Sequence, residues 1–130
     1  MSFETTRLLD APLVTAPDGS DVRVLPQLER GSMILVELAA GRTSIAVAHR
    51  TVEELWYFLS GRGEMWRRRG KDEAVAVVEA GVSVSIPVGT SFQFSSLGPE
   101  PLQAICVTMP PWPGMDEAYQ VDGPWEATRA

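Results

Sequence analysis

His49 is the single histidine of the chain, and Glu54 follows it five residues later. A buried carboxylate near an imidazole can hold a proton at an adjusted pKa and do acid–base work. A hydrogen-bonded pair with no catalytic task is the plainer use of the same two residues. One histidine excludes every multi-histidine metal site. One cysteine, Cys106, excludes an intrachain disulfide and a Cys-based zinc site. Cys106 lies in the apolar run 102–107, where it reads as a small core residue. A reactive thiol would need electropositive neighbours that this run lacks. Arg67, Arg68, Arg69 and Lys71 form the one basic cluster. Anion binding is one use for it, and a solvated hairpin tip turning at Gly70 is the other. The net charge of −6 favours the second.

These residues must be positioned by strands. Ten Pro and eleven Gly divide 130 residues into short pieces rich in Val, Ile, Leu and Thr. Strands are predicted at 22–25, 33–38, 43–49, 54–59, 64–68, 74–78, 82–86, 92–94 and 102–109. In 43–49, Ile45 and Val47 fall on one face and Ala46 and Ala48 on the other. Alternation is clearest at 82–86. A helix over 51–57, capped by Thr51, is the competing reading of that segment. The aromatic run Trp56-Tyr57-Phe58 followed by Gly61 and Gly63 favours a strand entering a hairpin. Eight or nine short strands with frequent turns mean an all-β sandwich or barrel. The Pro-rich tail from 110 can form neither a helix nor a central strand. It is expected to cross the barrel surface, pinned by Trp112 and Trp125.

Composition sets the limits. The length suits one domain spanning 1–130. Apolar residues make up 45% and charged residues 22%, an ordinary globular balance. Eleven basic against seventeen acidic residues argue against a nucleic-acid partner. The first seven residues lack the pattern of a signal peptide, and no window approaches the roughly 20 apolar residues of a membrane helix. A soluble, cytoplasmic protein is the expectation, with no membrane partner.

Two spaced motifs then resemble those of the cupin superfamily. The first cupin motif has a Gly, two His one residue apart, a Glu three or four residues on, and a Gly seven after that Glu. Here Gly41 opens the segment, His49 matches the second His, and Glu54 lies seven before Gly61. The first His position holds Val47. The run 53–61 resembles the Glu-Glu-x-x-Tyr-Val-Leu-x-Gly of small single-domain cupins. The second motif, Gly, five residues, Pro-x-Gly, two residues, His, fits Gly81, Pro87 and Gly89, with Phe92 at the His position. The matched segments are 41–63 and about 81–96.

The resemblance implies a single cupin barrel, a double-stranded β-helix or jelly roll, carrying a degenerate metal site. Metallocupins hold iron, manganese, nickel or zinc with three His and one Glu. Only His49 and Glu54 match those positions, so no metal or other cofactor is expected. A divalent metal recruiting ligands from elsewhere is the alternative. Gln93, beside Phe92, should point to the other face.

If the strands run as in a cupin, His49 and Glu54 point inward, provided no bulge intervenes. Trp56 and Phe58 share the parity of Glu54. With Phe92, and with Phe94 as a further candidate, they would line an aromatic pocket; plain core is the other reading, strongest for Phe58. Trp66 could face either side, and Met109 could close the cavity. The implied function is binding a small molecule, apolar or aromatic with one polar group. The alternatives are a metal-dependent cupin dioxygenase, a cofactor-free isomerase or cyclase with His49 as base, and an assembly module with a filled barrel. A homodimer is the family expectation.

Overall fold

The computed structural model describes residues 3–128. The outermost residues of the expected domain, 1, 2, 129 and 130, lie outside them. Eleven strands form among the described residues: β1 (Leu13–Thr15), β2 (Asp21–Leu28), β3 (Gly31–Leu38), β4 (Val47–His49), β5 (Glu53–Ser60), β6 (Arg62–Arg69), β7 (Asp72–Glu79), β8 (Ser83–Ile86), β9 (Ser91–Ser96), β10 (Leu102–Met109) and β11 (Ala118–Gln120). They build two antiparallel sheets. One has the order β1-β2-β3-β10-β5-β8, the other β11-β4-β9-β6-β7. This is the all-β cupin barrel that the motifs imply. No helix among the described residues is long and apolar enough to cross a membrane.

Period-two burial makes the strands. Along β5, Glu54, Trp56 and Phe58 are buried while Glu53, Leu55 and Tyr57 are exposed. Segment 51–57 is therefore not a helix. Along β10, Leu102, Ala104, Cys106 and Thr108 are buried. Val84 and Ile86 of β8 join them. The two sheets meet over Phe58, Phe92, Phe94, Met65, Ile86 and Leu102, all under 3% exposed.

Two glycines permit close approaches. Gly61 takes φ +80° at the turn from β5 to β6, where a Cβ would strike the backbone of Pro101. The two strands belong to different sheets, so this turn is a crossover and not the hairpin that the sequence suggests. A Cβ on Gly63 would collide with the Ser95 carbonyl, so β6 and β9 touch there only because it is absent. At the far hairpin, Gly70 turns with φ +62° in open space beside the exposed Arg68 and Arg69.

The segment 43–49 departs from expectation. Only Val47–His49 is strand, with one bridge from Thr43 to Ser95. The backbone leaves the ladder because the Ile45 amide donates to the Asp18 carbonyl instead (2.9 Å). Nor do the two faces alternate between buried and exposed: Ala46, Val47, Ala48 and His49 are all buried. The tail explains this. Its β11 pairs with β4, setting Ala118 opposite His49 and Tyr119 opposite Ala48. The tail thus crosses the barrel, and in doing so adds an edge strand that the Pro-rich sequence concealed. β1 is also unforeseen; three residues are too few to show alternation.

Candidate functional site

Inward side chains of β2, β3, β4, β5 and β9, together with the segment 15–18 and the tail, enclose a cavity of about 200 Å³. An apolar cavity of about 150 Å³ takes one benzene ring, so this one suits a single ring with a short substituent. His49, Glu54, Trp56 and Phe92 line it. Phe58 does not: at 1% exposure it packs behind Trp56, with ring centroids 5.9 Å apart. Two residues further along β5, it lies below the cavity floor. Phe94 likewise packs against Trp56 (5.2 Å) outside the lining. Trp66 is buried elsewhere and donates to Glu73 (2.7 Å). Met115, rather than Met109, stands in the wall.

No bulge turns His49 away. Its ring meets Phe92 edge-on at 5.2 Å and Trp112 at 5.0 Å. Its Nδ1 is buried, has no hydrogen-bond partner, and lies 3.8 Å from Oε2 of Glu54. That distance is too long for a hydrogen bond. Burial holds the imidazole neutral, with its pKa lowered to about 4; the Glu117 carboxylate pulls weakly the other way. Burial likewise pushes Glu54 up to about 7, against the indole hydrogen bond from Trp56 (2.9 Å), which lowers it. Asp18, Cys106 and Glu117 act on Glu54 more weakly. The two groups are therefore a neutral base facing a carboxyl poised near neutrality, not an ion pair. The Cys106 thiol beside Glu54 is pushed up by burial and by that carboxylate, so it is inert.

Three further residues shape the site. Asp18 is a second carboxyl in the wall. Its Oδ1 accepts from the Ser20 amide (2.9 Å) and hydroxyl (2.6 Å). Burial raises its pKa more than these bonds lower it. Asp-Gly-Ser is a turn-forming sequence, but nothing local marks its burial. Trp112 closes the cavity over His49 instead of merely pinning the tail. Glu117 turns inward from the tail toward the loop that spaces His49 from Glu54. It accepts from the Thr51 amide (2.7 Å), the Thr51 hydroxyl (2.6 Å) and the Val52 amide (3.0 Å). Burial alone would raise its pKa, yet these bonds bring it below the ordinary value. Nothing in the local sequence marks it.

The four positions that hold metal in metallocupins all line this cavity, but Val47 and Phe92, cross-strand partners, offer no donor. Gln93 lies on the opposite face, its amide bonded to Ser44 and Trp125. Among the described residues no group of three His, Cys, Asp or Glu is placed to hold a metal ion. The residues present do not fit a cupin metal.

Comparison with known proteins agrees with the fold. The model of the family described as "Cupin domain" matches residues 34–108. An uncharacterized protein of Methanocaldococcus jannaschii is 32% identical over 106 residues, covering 78% of this chain and 81% of its own. The solved structure of Streptomyces Pac13 with uridine superposes with a TM-score of 0.73 at 14% identity, over 93% of this chain and 92% of its own. Pac13 is described as a nucleoside dehydratase. Oxalate decarboxylase of Bacillus subtilis superposes with a TM-score of 0.75 at 17% identity, over 88% of this chain and 31% of its own.

Proposed function

Because this chain belongs to the cupin family, its barrel interior is the place to look for a ligand, and we propose that it binds a small molecule there without a metal. The ligand is of single-ring size, apolar or aromatic with one polar group. Trp56, Phe92 and Trp112 hold it, and His49 and Glu54 orient its polar group. The unpartnered Nδ1 of buried His49 carries this reading. An unsatisfied buried polar atom costs about 1–3 kcal/mol, a cost that a polar ligand at this wall removes.

One observation favours a second reading, a cofactor-free enzyme. The imidazole is unprotonated at neutral pH while Glu54, at about 7, is partly protonated. A base and an acid thus face one cavity, as proton-transfer chemistry requires. The likeness to a nucleoside dehydratase is a likeness of fold at low identity and does not name the substrate.

Thermal unfolding of untagged protein against a panel of single-ring compounds tests the binding reading, with elemental analysis of the same sample. A binder at one hundred times its Kd adds about 2.7 kcal/mol of stability. Trp56→Ala and Phe92→Ala should abolish that gain. Phe58→Ala should cost about 4 kcal/mol yet leave the gain in place. A gain that survives both pocket substitutions would defeat the proposal. So would close to one iron, manganese, nickel or zinc per chain, which would favour the metal-dependent alternative.

A further inference from the structure

We infer that the polar group of this ligand is a cation: the site takes a small primary amine, its ammonium between Asp18, Glu54 and His49 and its hydrocarbon part against Trp56, Phe92 and Trp112. The inference rests on the reading of the cavity as a ligand site.

The titratable side chains of the wall are Asp18, His49 and Glu54; no Lys or Arg joins them. An anion would enter a space with no positive group to neutralise it. The groups acting on Glu54 come from every side. They are His49 on β4, Asp18 before β2, Glu117 before β11, Cys106 on β10 and Trp56 on β5 itself. With the imidazole held neutral, none of these carries positive charge at neutral pH. Among the described residues the two cavity carboxyls therefore lack a basic partner.

Two acids in a cavity do not make a site, but His49 supplies an independent sign. It is 95% buried, as 5% exposure shows, and its Nδ1 has no partner. An imidazole nitrogen that carries no proton accepts one hydrogen bond, and a cation bound beside the two carboxyls would favour their ionised form, which only accepts. An ammonium offers three donors and no acceptor. It thus matches these acceptor groups in sign. The rings add to this. Trp is the best aromatic partner for a cation, and the attraction grows when water is excluded. A cavity of about 200 Å³ admits a ring of benzylammonium size.

The test compares benzylammonium, benzyl alcohol and benzoate by calorimetry and thermal unfolding of the full chain. The three share one ring and differ in charge. Benzylammonium should bind at least about tenfold tighter than benzyl alcohol, with benzoate weakest. Asp18→Asn should weaken benzylammonium by a larger factor than it weakens benzyl alcohol. The Asn carbonyl oxygen can still accept both Ser20 bonds, so the turn is kept. Equal or tighter binding of the alcohol, or preference for benzoate, overturns the cation while leaving the pocket reading intact. Absence of binding by all three also overturns it, and the wider panel then shows whether the pocket reading falls too.

Discussion

Glu54 and Glu117 show equally little surface, 4% and 5% exposed, yet they sit on opposite sides of the ordinary glutamate pKa. Glu54 accepts one indole N–H and is pushed up to about 7. Glu117 accepts three bonds from Thr51 and Val52 and is held down. Glu54 lies deep in the barrel wall with one donor while Glu117 lies nearer the surface with three, and depth and donor supply together decide which carboxyl keeps its charge. The difference follows their work. Glu117 ties the tail to the loop that spaces the site residues. Glu54 is left under-satisfied at the cavity wall, where a ligand can complete it.

Glu117→Ala is the harshest way to break this comparison. It strands the Thr51 and Val52 amides and should cost about 4 kcal/mol, read as a lower urea midpoint at neutral pH. Because its folded pKa is depressed, the stability Glu117 contributes is present above the ordinary carboxylate range and lost as the pH falls below it. An unchanged midpoint would mean that the three bonds carry no net stability.

Glu54→Gln should act in the opposite sense. The folded pKa of Glu54 is raised from 4.5 to about 7. Its contribution is therefore complete below pH 4.5 and lost as the pH climbs through about 7. By about pH 8 the loss reaches about 3 kcal/mol. The variant should escape it, since a Gln carbonyl still accepts the Trp56 indole. Urea midpoints on the two sides of this window measure the recovery, and a variant no more stable than the parent at alkaline pH would refute the raised pKa.

His49→Gln sharpens the picture from the acid side, with a smaller effect. The folded pKa of His49 is lowered from 6.5 to about 4. Its contribution is present above pH 6.5 and lost as the pH falls toward 4. From 6.5 to about pH 5 the loss is about 2 kcal/mol. The variant should lack that part of the slope; a slope as steep as the parent's would place the titration elsewhere.

The site was half legible before the structure. Glu54, Trp56 and Phe92 could be assigned to the interior because strand parity puts alternate residues on one face and the motif spacing fixed the register. His49 followed by the same spacing. Phe58 obeys the same parity, but parity says which face a residue takes, not how deep it lies. Asp18, Trp112 and Glu117 were beyond such reasoning. Each reaches the site from a turn or the tail, where no period repeats and a contact with a distant loop leaves no local trace. Three-residue strands such as β1 and β11 fail for the same reason.

The tail's place in the cavity wall has a consequence for synthesis. Trp112, Met115 and Ala118 complete an enclosure begun by Val14 and Asp18. A chain emerging from the ribosome can pair β2 with β3 and close the β6–β7 hairpin early. Its cavity stays open on one side until about residue 118 is free to pair with β4. Any ligand capture by this cavity would thus belong to the finished chain and not to any earlier length of it.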